Sequence, residues 1–428
     1  LENWTSLASS DLETHTDRIK SIAGKKPGID QKVDSYLTYC LNREDLTEVF
    51  CRFAEGFAWV EWLDSKAMLD NLFREEEPLT EIEKSLTRWF VKTAFVSSSQ
   101  EHLTFLASRR SSLNPYLVSS IVEQMADSDL EIPDTCQAEW LNLILNNWHK
   151  GETPCLAMLK ALKKVDVTTN PWIITKAIQS FFSLSQTGKP AKLSLFHRQY
   201  DLEPLVKTDC LKKFWSEIIE PNLDILHEDI LSILTSQLMK AVTDMSVING
   251  SVREYDSICS ARKTIEESEP ESSPEWLHIY IDFVRDTILH LIKTDNKDRN
   301  FYYEWWRRSR APILWRILLY AVSEDPSCSD DDRVRIVLDN GWLINPVLKA
   351  ETAKIISNSL RTTSTSVLMK VVETIERELD RLSRVPNLGD GQRSNPAIGE
   401  ILLAIEKSGV DSPEIKKLVK PLKEKERS

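Results

Sequence analysis

Residues 329–360 carry the feature that most constrains the fold, two short helices in series with one apolar face each. Ser329 is predicted to cap the first helix, because its hydroxyl can accept a hydrogen bond from a free N–H group of the first turn. Gly341 is predicted to end it, since glycine adopts the left-handed C-cap conformation without steric cost. Asn345 and Pro346 are predicted to begin the second helix as its N-cap and first residue. Two helices this short cannot bury both faces against each other, so they must stack on neighbouring helices.

The helix start signal Asn-Pro-x-aliphatic recurs along the chain. It begins at Asn114, Asn170, Asn345 and Asn395. The irregular spacing of these sites favours degenerate helical repeats over a strict tandem array. Thr80 and Glu83 predict a further helix start, a capping box. No long strand pattern appears, so the sequence predicts an all-α fold, a curved α-solenoid of antiparallel helix pairs with degenerate repeats similar to HEAT and TPR repeats.

The chain is predicted to divide into three segments: an N-terminal helical array (1–185), a middle helical segment (186–262) and a C-terminal helical array (263–428). A Gly-Lys-Pro turn and a short alternating apolar run within 186–208 predict a small hairpin or a long loop in the middle segment. The stretch 263–274 is the predicted linker before the third segment, because it is polar and rich in Glu, Ser and Pro.

Composition and charge exclude several classes of function. The formal net charge of −12 over 428 residues argues against a protein that binds nucleic acid over its whole surface, although it is compatible with a local basic patch. The 11 glycines form none of the phosphate-binding loop motifs. No apolar run approaches the length of a membrane span, and no signal peptide is visible. We therefore predict a cytoplasmic protein without membrane contact.

The cysteines and the chain ends give two further expectations. There are 7 cysteines, which lie far apart and include no C-x-x-C pair. In a cytoplasmic protein this pattern predicts buried, reduced thiols. The chain begins with leucine and ends in a charged tail, from which we interpret it as a piece of a longer protein whose catalytic domain can lie elsewhere.

Signatures of catalysis are missing from the sequence. The 7 histidines are scattered, and none stands at metal-ligand spacing from a Cys or Asp on one helix face. His227, Glu228 and Asp229 come closest to an acid–base cluster, but they are predicted to lie at a helix start, where the helix dipole favours acidic residues. We therefore predict no catalytic residue, no metal and no cofactor. A helical enzyme whose site assembles from distant residues is the alternative.

Residues 301–310, FYYEWWRRSR, are first aromatic and then basic, and we name them the aromatic–basic segment. Stacking aromatic rings beside arginines suit single-stranded nucleic acid or an acidic protein partner. The predicted binding residues are Tyr303, Trp306, Arg307, Arg308 and Arg310. The alternative is that Phe301, Tyr302 and Trp305 belong to the core and that the arginines form a solvated rim at the end of a helix.

Two stretches resemble the helical-repeat region of large bacterial anti-phage defence proteins. The first, in 59–121, contains WVEWLDSKAMLDNLF, LTEIEKSLTRWFVKTAF and EHLTFLASRRSSLNPYLVSSI; the second, in 283–351, runs from FVRDTILHLIKTDNKDRNFYYEWWRRSR to DDDRVRIVLDNGWLINPVLKAE. In such proteins a HEAT-type array follows an N-terminal effector, for instance a sirtuin-like NAD-consuming domain, and often a nucleotide-binding module of the STAND class. The resemblance implies that the array senses a phage component or holds the assembly inactive. Any NAD or ATP chemistry is then implied to lie outside this chain, because no active-site motif matches.

The leading prediction is therefore a non-catalytic scaffold and sensor region of an anti-phage defence protein. Its partner is predicted to be a protein, either a phage component or the effector domain of the same protein. The alternative is nucleic-acid binding through the aromatic–basic segment, with an affinity that falls steeply as salt is added.

Overall fold

The computed structural model describes residues 9–25, 27, 30–74, 78–97, 99–109, 112–127, 134–148, 154–186, 202–249, 262–266, 275–383 and 396–418. Within these ranges the chain forms nineteen α-helices, a further helical stretch at 413–418 and one pair of short β-strands. The predicted all-α class is therefore confirmed. None of the described helices is long and apolar enough to cross a lipid bilayer. The chain divides into two compact units.

The first unit comprises residues 1–181 and 205–225. Its helices are α1 (Ser9–Ala23), α2 (Gln31–Cys40), α3 (Glu44–Phe53), α4 (Phe57–Ser65), α5 (Glu81–Ser97), α6 (Ser99–Ser108), α7 (Pro115–Ala126), α8 (Asp134–Asn146), α9 (Cys155–Lys163), α10 (Pro171–Phe181) and α11 (Thr208–Phe214). A 3-10 turn, Asp70–Phe73, lies between α4 and α5. A π-helical turn, Trp215–Ile219, and a 3-10 turn, Glu220–Asn222, follow α11.

Packing in the first unit alternates along the chain. Helix α1 contacts α3, which contacts α5, and the series continues through α7 and α9 to α11, whereas α8 contacts both α6 and α10. Buried indole rings of α4 and α5 donate hydrogen bonds to the carboxyl ends of helices in the first series. The Nε1–H of Trp59 donates to the carbonyl oxygen of Ala23 at 3.1 Å, and that of Trp89 donates to Ala54 at 2.8 Å. These rings therefore fill the core and also satisfy carbonyl groups at helix ends.

The second unit comprises residues 182–204 and 226–428. Strand β1 (Leu184–Gln186) pairs antiparallel with β2 (Leu202–Pro204). The alternating run predicted between these strands lies outside the described residues. The helices that follow are α12 (Leu223–Asn249, whose first three residues belong to the first unit), α13 (Glu275–Lys293), α14 (Arg299–Arg308), α15 (Pro312–Glu324), α16 (Asp330–Asp339), α17 (Lys349–Ser359), α18 (Thr365–Ser383) and α19 (Pro396–Ser408).

The second unit repeats the alternating packing of the first. Helix α13 contacts α15, α15 contacts α17 and α17 contacts α19, whereas α16 contacts α18. A short non-helical segment, 262–266, is held within this unit: Ile265 is fully buried, and its N–H donates to Oε1 of Glu351 at 3.0 Å. The stretch 263–274, predicted as a linker, therefore begins with residues that belong to the packed second unit.

The recurrent Asn-Pro signal is confirmed at three of its four sites. Asn114 caps α7 by accepting a hydrogen bond from the backbone N–H two residues on, α10 begins at Pro171, and α19 begins at Pro396, whose preceding Asn lies outside the described residues. The prediction is wrong at Asn345, whose side chain stabilises a turn, so that α17 begins only at Lys349. Asn side chains stabilise turns as well as helix N-caps, which explains why the motif alone does not separate the two.

The other local helix signals are confirmed. Ser329 caps α16 by accepting a hydrogen bond from the N–H of Asp332 at 3.2 Å. Gly341 has a φ of +68°, the left-handed conformation that ends the helix. Thr80 and Glu83 form a reciprocal capping box, with N···O distances of 2.7 and 3.3 Å.

The prediction of reduced thiols is wrong for one pair. Cys155 and Cys210 form a disulfide that joins α9 to α11. The two residues are separated by 55 positions, so only the packing of α9 against α11 brings them together. The remaining described cysteines are free thiols: Cys40, Cys51, Cys136 and Cys328.

Candidate binding site on helices α12 and α14

Helix α14, which contains most of the aromatic–basic segment, is anchored to α12 by two buried aromatic residues. The hydroxyl of Tyr302 donates to the carbonyl oxygen of Glu228 at 3.2 Å. The Nε1–H of Trp306 donates to Oγ1 of Thr235 at 3.1 Å. Because these residues are four apart, both lie on the face of α14 that packs on α12.

Of the predicted binding residues, Trp306 therefore lies inside the protein, and Tyr303 is partly buried. Trp306 is 0% exposed and cannot stack on a ligand at the surface. Tyr303 is partly buried, and its hydroxyl donates to Oδ2 of Asp325 at 3.2 Å. Burial and the nearby carboxylate raise the pKa of Tyr303 well above its usual range. Both residues thus stabilise the fold, and the prediction of a stacking role is wrong for Trp306.

The arginines lie at the surface, as predicted, but two of them are paired. The carboxylate of Glu304 accepts from Arg307 at 2.7 Å and from Arg308 at 3.3 Å. These pairs have the three- and four-residue spacing of neighbours on a helix surface. The hydrogen bond from Arg307 is the main cause that lowers the pKa of Glu304. Arg310 follows the helix and is exposed. The positive charge of the segment is thus partly neutralised within α14.

The alternative interpretation, which assigned Phe301, Tyr302 and Trp305 to the core, is correct in part. Tyr302 is buried, as that interpretation requires. Trp305 is half-buried. Phe301 is 66% exposed, more than any other large apolar residue among the described positions of the second unit, so its assignment to the core is wrong.

A cavity of about 730 Å³ opens between α12 and α14, and we name it the acidic–aromatic cavity. Its lining residues are Glu228, Asp229, Ser232, Asp298, Phe301, Tyr302, Glu304, Trp305 and Arg308. They include four carboxylates and a single guanidinium. Burial, together with the negative charges of Glu228, Asp298 and Asp229, raises the pKa of Tyr302 to about 12. The electrostatic environment of the cavity is therefore negative.

His227 lies beside this cavity, in a place that the sequence did not indicate. The predicted helix start at His227 is wrong, because α12 begins at Leu223 and continues through it. The Nε2 atom of His227 lies 3.4 Å from Oδ2 of Asp298 and 3.4 Å from Nδ2 of Asn296. Asp298 is 71 positions away in sequence, so helix periodicity could not show the contact. The short loop before α14 brings these groups together.

We compared the chain with known proteins. No model of a protein family matches it, and no curated protein is significantly similar to it. What the chain does must therefore be inferred from its residues and their geometry.

Proposed function

We propose that this chain is a non-catalytic helical scaffold that binds a protein partner, and that the acidic–aromatic cavity takes up a basic segment of that partner. The observation that carries the proposal is the convergence of four carboxylates and the exposed ring of Phe301 on one cavity. Carboxylates attract the side chains of Lys and Arg, and an aromatic face attracts the same cations. A volume of about 730 Å³ is sufficient for one or two such side chains.

Charge favours a protein partner over nucleic acid. A phosphate backbone would approach the carboxylates of Glu228, Asp229 and Asp298, which would repel it. Two of the three arginines predicted to bind phosphate, Arg307 and Arg308, form ion pairs with Glu304. Nucleic-acid binding remains the second candidate, because Arg310 and the exposed ring of Phe301 lie in the same segment.

The proposed setting is that of the resemblance, an anti-phage defence protein in which this region acts as the sensor. The partner would be a phage protein or the effector domain of the same protein. In this proposal each unit is a curved α-solenoid, which the alternating contacts α1–α3–α5–α7–α9–α11 and α13–α15–α17–α19 support. Stacked helices present a continuous surface, and binding there can shift their packing against an attached effector.

The first test compares a cationic peptide with nucleic acid. Fluorescence anisotropy would measure binding of a labelled peptide of alternating Lys and Gly, the same peptide with Glu in place of Lys, and a labelled oligothymidylate. We expect the Lys peptide to bind, and the double variant Glu228→Gln/Asp229→Asn to bind it at least about tenfold more weakly, since two attractive charges are lost. The oligonucleotide and the Glu peptide should not bind.

Matched controls separate a site from general acidity. Glu13→Gln/Glu48→Gln removes the same charge from exposed positions of the first unit and should leave peptide affinity unchanged. Phe301→Ala should weaken binding, whereas Phe53→Ala, which removes an exposed ring from the first unit, should not. Equal losses in both double variants would show non-specific attraction. Preferential binding of the oligonucleotide would move the assignment to the second candidate.

A further inference from the structure

Three metal-ligating side chains converge at the edge of the acidic–aromatic cavity. Asp298 occupies the N-cap position of α14, where Asp ordinarily accepts a hydrogen bond from the first turn, yet its side chain makes no such bond. Its Oδ2 lies instead 3.4 Å from Nε2 of His227. Glu228 adjoins them, and one ligand atom from each of the three residues lies within 4.8 Å of the others. Two helices therefore present one imidazole and two carboxylates to a common point.

The surroundings of His227 favour a cation at this point. The side chain of His227 is only 11% exposed, so its ring is held in place. Asn296 accepts the backbone N–H of Asp298 through Oδ1 at 2.9 Å, and its amide Nδ2 therefore faces Nε2 of His227. An N–H donor beside Nε2 favours the tautomer that carries a lone pair there. Oδ2 of Asp298 lies at the same distance from this nitrogen, 3.4 Å, and both contacts are longer than an ordinary hydrogen bond. A cation at this point can therefore replace the contact to Asn296 and bond to both the nitrogen and the carboxylate.

We propose that His227, Glu228 and Asp298 bind a divalent transition-metal ion, with Zn²⁺ the favoured ion. Imidazole nitrogen with carboxylate oxygen suits Zn²⁺, whereas Ca²⁺ and Mg²⁺ take oxygen ligands. Zinc bonds to nitrogen and oxygen are about 2.0–2.2 Å long, so two ligand atoms on one tetrahedral ion lie about 3.3–3.6 Å apart. Nε2 of His227 and Oδ2 of Asp298 already have this separation, at 3.4 Å. The carboxylate of Glu228 is exposed, and a rotation of its side chain would bring it from within 4.8 Å to the same separation.

The proposed site has an open side. Three protein ligands leave at least one position of a tetrahedral zinc ion unfilled. Two of the three, Glu228 and Asp298, line the acidic–aromatic cavity, so the proposed ion lies at its edge. Water, or a donor group of a partner, would complete the coordination. The carboxylates of Asp229 and Glu304, which line the same cavity, add to the negative potential that attracts a divalent cation.

Calorimetric titration of the chelator-treated chain with Zn²⁺ tests the proposal. We expect the wild-type chain to bind Zn²⁺ tightly. The variant His227→Ala should bind one equivalent of Zn²⁺ fewer. His290→Ala, which changes a histidine on α13, should bind as much Zn²⁺ as the wild-type chain. Zn²⁺ should also raise the Tm of the wild-type chain more than that of His227→Ala, because an ion that binds only the folded state stabilises it. Mg²⁺ and Ca²⁺ should give no comparable binding.

Two results would overturn the proposal. Free thiols also bind zinc, so equal stoichiometry in the wild-type chain and in His227→Ala would assign the metal to cysteines. Equal affinity for Zn²⁺ and Ca²⁺ would indicate only an acidic surface. If His227→Ala folds poorly, Asp298→Asn provides a second variant at an exposed position. The titration contains no peptide, so metal binding and the proposed function succeed or fail separately.

Discussion

Arg316 on α15 and Glu351 on α17 form an ion pair in the core of the second unit, where each side chain is only 2% exposed. Two hydrogen bonds join them, from Nε to Oε2 at 3.0 Å and from Nη2 to Oε1 at 2.8 Å. The guanidinium also donates to two backbone carbonyl groups of 262–266, both at 2.7 Å. The pair therefore fixes the segment 262–266 onto two helices of the unit.

Removing one member of the pair should lower the free energy of unfolding at least as much as removing both. We predict that Arg316→Met lowers the free energy of unfolding by about 3–5 kcal/mol, because it leaves the buried carboxylate of Glu351 without its counter-charge. Glu351→Met should cost a similar amount by isolating the guanidinium. Independent contributions would give a loss of roughly 6–10 kcal/mol in the double variant. We expect the double variant to be no less stable than Arg316→Met alone, since no unpaired charge remains, so that the coupling energy is about 3 kcal/mol or more.

Urea unfolding, followed by circular dichroism, measures these free energies of unfolding. If the slope of the free energy against urea concentration is the same in each variant, unfolding exposes the same amount of surface. Hydrogen exchange should show faster exchange of the Ile265 amide in Glu351→Met, because that amide donates to the deleted carboxylate. Arg335→Met is the control, since it removes an exposed partner of Asp331 and should change stability by less than about 0.5 kcal/mol. Additive losses in the double variant would refute the reasoning, as would losses below about 1 kcal/mol in both single variants.

Three further predictions concern other parts of the chain. Cys155→Ser should lower the Tm, because the disulfide closes a loop of 55 residues. The chain-entropy estimate of its contribution to the free energy of unfolding is about 4 kcal/mol. As a control, dithiothreitol should lower the Tm of the wild-type chain but not that of Cys155→Ser. Trp306→Ala should cost about 3–5 kcal/mol in urea unfolding, because it empties a fully buried site between α12 and α14. Burial alone would raise the pKa of Asp325, but hydrogen bonds from Ser327 and the charge of Arg299 outweigh it and lower that pKa. A carboxyl group of this kind adds stability above its unfolded pKa of about 3.9, and this stability is lost as the pH falls through the folded pKa. Thermal unfolding between about pH 5 and pH 2 should therefore show a steeper loss in the wild-type chain than in Asp325→Asn.

Local signals could be predicted because they act within one turn of helix. The cap of Ser329, the left-handed Gly341 and the capping box of Thr80 and Glu83 each depend on residues no more than three apart. Asn345 shows the limit of such signals, since the same side chain stabilises a turn or a helix start. Whether the helix begins there depends on the packing of the next residues, which a local motif does not contain.

Long-range contacts could not be predicted from spacing. The disulfide of Cys155 and Cys210, and the approach of His227 to Asp298, join residues separated by 55 and 71 positions. Neither pair has a repeated motif around it. Their proximity follows from which helices pack together, and this is decided by the sum of many apolar contacts.

Helix α14 shows why the candidate residues were assigned in part to the wrong face. The sequence offers two adjacent aromatic stripes of four-residue spacing, one with Phe301 and Trp305 and one with Tyr302 and Trp306. Both stripes are apolar enough to form the buried face. The second is buried because α12 offers hydrogen-bond acceptors to its phenol and indole groups. Periodicity fixes the spacing of a buried stripe, and the neighbouring helix selects which stripe it is.

The same geometry reverses the electrostatic character of the site. Counted along the chain, the aromatic–basic segment has three arginines and one glutamate, which indicates a phosphate-binding surface. In space, Glu304 lies one turn from two of those arginines and pairs with both. Helix α12 then adds Glu228 and Asp229, and the loop before α14 adds Asp298, so that carboxylates outnumber guanidinium groups in the cavity. The ligand that such a site attracts is a cation, which is why we propose a basic peptide segment and a metal ion as its ligands, whereas the linear sequence alone suggests phosphate.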